Sequence, residues 1–487
     1  MPKILALLLV VAFLAMFAEA QTTAPYVYQV IPYSVLQQSG TIANKSGCTA
    51  SGCNSPAGIS NASNYTTQNG LTSTFGLAAS LDVGIATALS VLPLASPASG
   101  VVTKTDPTTG AELPASSTLG PIFTERAETI GKHKFYVGFS NQTFHFRSFN
   151  GNSLGSLQLL DPGNETTAVN FGSNPGSSPP ETYTVGTDVR ISQNVAFLTY
   201  GVTDRLDVSV GLPVVHAAVS ANGNNLQIYD GPGSGNPYCW CQGTLTPSQQ
   251  TETLSEINSN ALGKTGFGDM LLRAKGTVLE KQNVALALGA DLRLPTGDER
   301  NFLGTGAVAV KPFAALSLYT KPLSNGIVFS PHLNVGWQIA GQSILGGQIK
   351  DTASSTTIGY GPPFTSTKAY LPDVFSWAVG SEVAFGRHNT VVVDFLGNQI
   401  GWIHGIQQLT NQSVPNVYLP GSATVSPQPA SGLVTAGRVS FGQYSGAFGY
   451  KARVLGNLVA TANVLVRFDN NGLTARYAPL FGLSYTF

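Results

Sequence analysis

Residues Leu473 to Phe487 read LTARYAPLFGLSYTF. The odd positions carry Leu473, Ala475, Tyr477, Pro479, Phe481, Leu483, Tyr485 and Phe487. The even positions carry Thr474, Arg476, Ala478, Leu480, Gly482, Ser484 and Thr486. Side chains alternate across a strand, so this period of two predicts one greasy face and one mostly polar face. The run is long for a globular strand. It is long enough for a transmembrane β-strand, which needs roughly 9–11 residues and carries aromatic residues at the interfaces. We read it as the closing strand of an outer-membrane β-barrel, and the rest of the chain can be tested against that reading.

Composition fits. Only 10% of the 487 residues are charged, glycine numbers 54, and mean hydropathy is +0.11. Low charge suits a surface that partly faces lipid, while helical membrane proteins are far more apolar overall. The formal net charge is zero, which gives no reason to expect nucleic acid as a partner. Residues 1–20 have Lys3, an apolar run from Ile4 to Phe17 and the end Ala18-Glu19-Ala20, the pattern of a secretory signal peptide. No later stretch offers about 18 unbroken apolar residues. An exported chain meets oxidising conditions, so the four cysteines are expected in disulfides. The local pairs Cys48–Cys53 and Cys239–Cys241 are preferred, with long-range pairing left open.

Residues 21–70 form a Ser/Thr/Asn-rich region expected to be flexible. Residues 71–133 hold a predicted helix over Phe75 to Leu92, followed by an extended stretch; together they are a candidate plug. Residues 134–487 read as the barrel, an all-β, antiparallel, up-and-down transmembrane fold of roughly twelve strands. Alternation is clear in Leu206 to Val214, Val284 to Leu294, Val308 to Ser317 and Leu458 to Phe468. A soluble sandwich alternates too, so the connections decide. Tight turns at Thr203-Asp204, Glu280 to Asn283, Lys321 to Asn325, Arg387-His388 and Leu455 to Asn457 take turns with long polar segments. The long ones are Gly151 to Pro180, Ala221 to Lys264, Gly341 to Pro372 and Gly405 to Gly432. Loop lengths segregated to opposite ends are the signature of an outer-membrane barrel, with both barrel ends on the short-turn, periplasmic side. The strand Lys134 to Phe149 carries aromatics on both parities, which suggests a bulge.

If the apolar face meets lipid, the other face lines the lumen or its rim. It collects Asp269, Arg273, Lys275, Asp291, Arg293 and Lys311, and further on Glu382, Asp394, Arg467 and Arg476. By the same parity Asp188, Arg190, Asp207, Lys451 and Arg453 join them. Charge facing lipid costs about 2–4 kcal/mol for Arg or Lys at midplane, so these must point inward and be paired or wetted. They are expected either to form ion pairs bracing the wall or to make a polar track for solute. His332 is expected to be a hydrogen-bonded wall histidine. No HExxH motif is present, so a metal-dependent barrel enzyme is disfavoured, and no cofactor, metal or catalytic residue is expected.

Several stretches resemble a bacterial family named for a meta-cleavage pathway of phenol degradation, whose members are often labelled outer-membrane transporters. They are LASPASG (Leu94 to Gly100), GPIFTERAETIG (Gly120 to Gly131), GFGDMLLRAK (Gly266 to Lys275) and DLRLPTGDERNFLGTG (Asp291 to Gly306), with VKPF, SPHLNVGW and LPD beyond. The PTGDE…GTG block is the most specific, and the likeness runs from about Leu92 onward. The resemblance implies a bacterial outer-membrane barrel admitting small solutes, aromatic or hydrophobic ones among them, and supplies no catalytic residues. Expected partners are outer-membrane lipids and lipopolysaccharide, the solute, and the barrel-assembly machinery. Phe487 resembles the C-terminal signal that this machinery reads. A non-transporting structural or adhesive surface barrel is the alternative.

Overall fold

The computed structural model describes residues 26–31, 53–54, 71–94, 96, 103–105, 112–114, 118–161, 181–229, 240–241, 251–254, 258–281, 283–320, 323, 327–347, 349–350, 365–386, 388–408, 413–414, 428–429 and 434–487. The signal-peptide reading, residues 32–52 and the cysteines Cys48 and Cys239 lie outside them. Within them Cys53 stands opposite Cys241 in a two-residue antiparallel ladder.

Twelve antiparallel strands close on themselves: β1 Phe135–Phe146, β2 Glu181–Thr203, β3 Leu206–Tyr229, β4 in two pieces (Asn258–Phe267 and Met270–Lys281), β5 Val284–Leu294, β6 Ala309–Leu318, β7 Val328–Ala340, β8 Val374–Phe385, β9 Asn389–Gln408, β10 Val434–Leu455, β11 Leu458–Arg467 and β12 Tyr477–Thr486. Each pairs with its sequence neighbours, and β12 pairs with β1 from Leu480↔Gln142 to Thr486↔Tyr136. The Phe487 amide adds one more bond, to the Phe135 carbonyl at 2.8 Å. A closed ring leaves no unpaired edge in the bilayer, where each unsatisfied backbone group would cost several kcal/mol.

The closing strand keeps the expected parity. Phe481 is 60% exposed on the odd face, and Leu480 beside it is 1% exposed on the even face. Its start differs from the expectation. Leu473–Thr474 is a separate short strand paired with Ser148-Phe149, and both of its residues are buried. Leu473 therefore turns inward, and Arg476 is an exposed residue just before β12 begins. Around the ring the outward residues are apolar: Leu212, Leu288, Val310, Leu333, Phe395 and Phe448 are all exposed. Trp337, Phe375, Tyr444 and Tyr477 add aromatic groups to this surface. A closed barrel wearing such a belt is built for a membrane, and this is an outer-membrane β-barrel.

No bulge interrupts β1, whose register against β2 runs unbroken from Phe135↔Tyr200 to Phe146↔Val189. Its inner aromatics Tyr136, Phe144 and Phe146 are buried, while Phe135 and Val137 on the outer face are exposed. Both faces are greasy because both have apolar neighbours, lipid outside and a helix inside. That helix, α1 (Leu71–Val91), lies within the long-loop half of the barrel. Leu81, Ile85 and Leu89 pack with Phe144, Phe146, Ile191 and Val215 from the inner wall of β1 to β3. Among the described residues no helix is long and apolar enough to cross a membrane.

Strands β2 and β3 run 23 and 24 residues, about twice what a bilayer needs, so their far halves stand clear of it. This corrects the placing of Asp188 and Arg190 in the lumen. They sit on the outer face of that far half, where Arg190 Nε donates to Asp188 Oδ1 at 2.8 Å in the open.

Candidate functional site: a filled lumen and its chamber

The chain enters the barrel from the long-loop end. Residues 26–31 lie there, with the Val27 amide on Asn301 Oδ1 and Arg300 over the Tyr26 ring. Helix α1 then descends, and Thr118 to Gly131 fill the short-turn half before the chain joins β1. This second segment is irregular, so its backbone polar groups need partners from outside itself. The inward charges of the wall supply them.

Glu382 (β8) accepts the Gly120 amide at 2.8 Å and forms a two-point ion pair with Arg126, at 2.8 and 3.2 Å. Both residues are within 1% of full burial. His332 Nε2 is 2.8 Å from the same carboxylate, and its Nδ1 is 2.9 Å from Ser317 Oγ. Asp394 (β9) accepts from the Phe123 amide and the Thr124 hydroxyl, each at 3.0 Å. Lys275 (β4) donates to Glu125 Oε1 and to the carbonyls of Arg126 and Glu128. Lys451 donates to the Pro121 carbonyl at 2.6 Å. Asp207 accepts the Ile130 amide at 2.9 Å. Asn334 completes the set by accepting the Glu125 amide and donating to its carbonyl.

The expectation of ion pairs bracing wall to wall therefore holds for few of these residues. Arg273 and Asp291 are such a pair, bidentate at 2.6 and 2.8 Å, and Arg467 pairs with Asp469 above β11. Glu382, Asp394, Lys275 and Lys451 instead bind the segment that fills the barrel. Charge-assisted bonds of this kind contribute about 1.5–3 kcal/mol each where they form, and a missing partner leaves a buried charge.

Asp269 has a different task. It stands at Gly268-Asp269, where β4 breaks, and accepts from the Thr305 amide (2.7 Å), the Thr305 hydroxyl (2.6 Å) and the Gly297 amide (3.2 Å). Two separated sequence blocks, GFGDM and PTGDE…GTG, are thereby clasped together. Gly304 is required here, since a Cβ on it would fall 2.1 Å from Asp269 Oδ1. At the tip of the block Asp298 caps the short helix Glu299–Asn301, and Glu299 reaches Ser343 Oγ at 2.9 Å. The charged tip thus binds the neighbouring loop.

Between the lower end of α1 and the top of the buried segment is a cavity of about 200 Å³. Phe144, Phe146, Phe313 and Leu465 give it apolar walls, and Arg273, Arg293 and Lys311 give it cations. Arg273 lies over the Phe313 ring at 5.0 Å and also reaches Glu125 Oε2 at 2.7 Å. Arg293 donates to the Leu89 carbonyl of α1 at 3.0 Å. Of the residues expected to face the lumen, Arg273, Asp291, Arg293, Lys311 and Arg467 meet at this cavity, while Arg476 does not reach it. Glu125 and Arg126 were missed as site residues. For Glu125 and Arg126 the GPIFTERAETIG block was the available signal, since two adjacent charges in a segment without strand period have no outer face to occupy. Among the described residues no group of three or more His, Cys, Asp and Glu could hold a metal ion.

Three of the solved structures that the chain is similar to are as follows. One is an outer membrane channel from Pseudomonas putida F1, at 14% identity and TM-score 0.39, covering 74% of this chain and 98% of that one. Another is a FadL homologue of Pseudomonas aeruginosa, at 11% identity and TM-score 0.28, covering 80% and 96%. The third is the CymD monoaromatic hydrocarbon channel, at 8% identity and TM-score 0.29, covering 73% and 88%. No curated protein matches the chain. The resemblance read from the sequence holds over residues 171–358, where the chain matches the family described as "Putative MetA-pathway of phenol degradation"; the blocks at Leu94 to Gly100 and Gly120 to Gly131 lie outside that match.

Proposed function

We propose that this barrel is an outer-membrane channel for small solutes, with aromatic or otherwise apolar compounds as its cargo class. The observation that carries this reading is the cavity inside the barrel, walled by Phe144, Phe146, Phe313 and Leu465 at the level where α1 ends. Barrels much wider than eight strands have room beyond their own wall side chains. Here α1 and the segment Thr118 to Gly131 take most of that room and leave between them a chamber with both apolar and charged walls. The family match over residues 171–358 supports an aromatic cargo. Passage requires α1 or the segment below it to shift, because both lie across the lumen.

The same filling favours a second reading, a barrel that transports nothing and presents its long loops at the cell surface. Liposome flux separates the two. The channel reading predicts that toluene or phenol enters liposomes holding the refolded chain faster than protein-free liposomes, while a disaccharide does not. Equal rates with and without the protein for every aromatic compound would leave the surface-barrel reading standing.

A further inference from the structure

We infer that the chamber is a binding site for a small aromatic carboxylate, with the ring against Phe144, Phe146 and Phe313 and the carboxylate on Lys311. This rests on the reading of the chamber as a stage of passage, and it adds a charge to the cargo.

The argument starts from Lys311. It sits on the inner face of β6, opposite Asp291 in the β5–β6 register. Asp291 acts on it through space but is not bonded to it, and its two oxygens are held by Arg273 at 2.6 and 2.8 Å. Glu125, the other carboxylate lining the chamber, is held by Arg273 at 2.7 Å and Lys275 at 2.9 Å. Among the described residues Lys311 forms no hydrogen bond or ion pair, yet it lines the chamber. Arg293, one strand away, uses Nη1 on the Leu89 carbonyl and also lines the chamber. A half-buried ammonium without a bonded anion is costly unless something answers it. Lys275 and Lys451, the other inward lysines of the wall, are both bonded by the buried segment, whereas Lys311 faces the chamber.

Size and wall then select the anion. Cavities of about 150 Å³ lined by Leu, Ile and Phe take benzene, so a chamber of about 200 Å³ takes one ring with one small substituent. A free inorganic anion would leave the phenylalanine walls unfilled. A neutral ring would leave Lys311 unanswered. An aromatic carboxylate satisfies both.

The test uses the full chain refolded in detergent micelles, titrated calorimetrically with benzoate and with benzamide, its uncharged counterpart of nearly the same shape. Benzoate is expected to bind at least tenfold more tightly than benzamide. Lys311→Met is expected to abolish that preference, and Lys311→Arg to keep most of it. Equal affinity for the two compounds in the unmodified chain, which needs no variant to fold, overturns the inference. So does a benzoate preference that survives in Lys311→Met. Flux is read separately: Lys311-dependent binding without benzoate flux in liposomes sinks the channel reading alone, and aromatic flux without a benzoate preference sinks this inference alone.

Discussion

Glu382 illustrates how much of the barrel's interior rests on single side chains. Its carboxylate answers Arg126, the Gly120 amide and His332 at once. Glu382→Ala leaves a buried guanidinium without its anion, which costs about 3–5 kcal/mol. Glu382→Gln keeps the shape and some hydrogen bonding and is expected to cost less. Urea unfolding of the refolded barrel in lipid vesicles measures both, and equal midpoints for Glu382→Ala and the parent would contradict the network. On the opposite face, Phe481→Arg is expected to destabilise by about 2–4 kcal/mol if it lies near midplane, against little for a polar change at the lumen-side Ser484. These inward charges were legible in the sequence by parity alone. Their partners were not, because parity says which way a side chain points and nothing about what stands opposite. Lys311 and Glu382 look alike in sequence, and only the structure shows that one is answered and the other is not.

At the scale of elements, the strands announce themselves and the filling does not. Leu473 to Phe487, Val284 to Leu294 and the alternating loop lengths carry a period that survives folding. Thr118 to Gly131 has no period, since it takes its order from Asp207, Lys275, Glu382, Asp394 and Lys451 on five different strands. Strand β1 misleads for a related reason: its inner face is apolar to suit α1, so aromatics on both parities mimic a bulge. The helix itself carries a buried liability in Asp82, whose Oδ1 has no hydrogen-bond partner among the described residues. Burial pushes the Asp82 carboxyl well above the usual carboxylate range. A carboxyl raised in the docked state is more protonated there than when the helix is released. Docking is therefore strongest at or below the ordinary carboxylate pKa of 3.8 and weakens as pH rises from it toward the raised value. Asp82→Asn is expected to remove this dependence and tighten docking at neutral pH. Protease cleavage within Leu71–Val91, followed across pH, checks it. Cleavage that is unchanged by pH in the parent chain would count against it.

At the scale of the molecule, the barrel is a closed wall around its own N-terminal segment. The wall follows from hydrocarbon, which demands paired edges and apolar outer faces, and those demands are written locally in each strand. The lumen answers to long-range contacts, such as Glu382 with Gly120 across 262 residues, which no local window contains. The central claim is that α1 and Thr118 to Gly131 occupy the lumen and control passage through it. Planar-bilayer conductance of the full chain, set beside a chain lacking residues 71–131, tests this most directly. The account predicts a small or intermittent conductance for the full chain and a steady one several times larger for the truncated barrel. Equal conductance from two barrels that both insert and fold would contradict it.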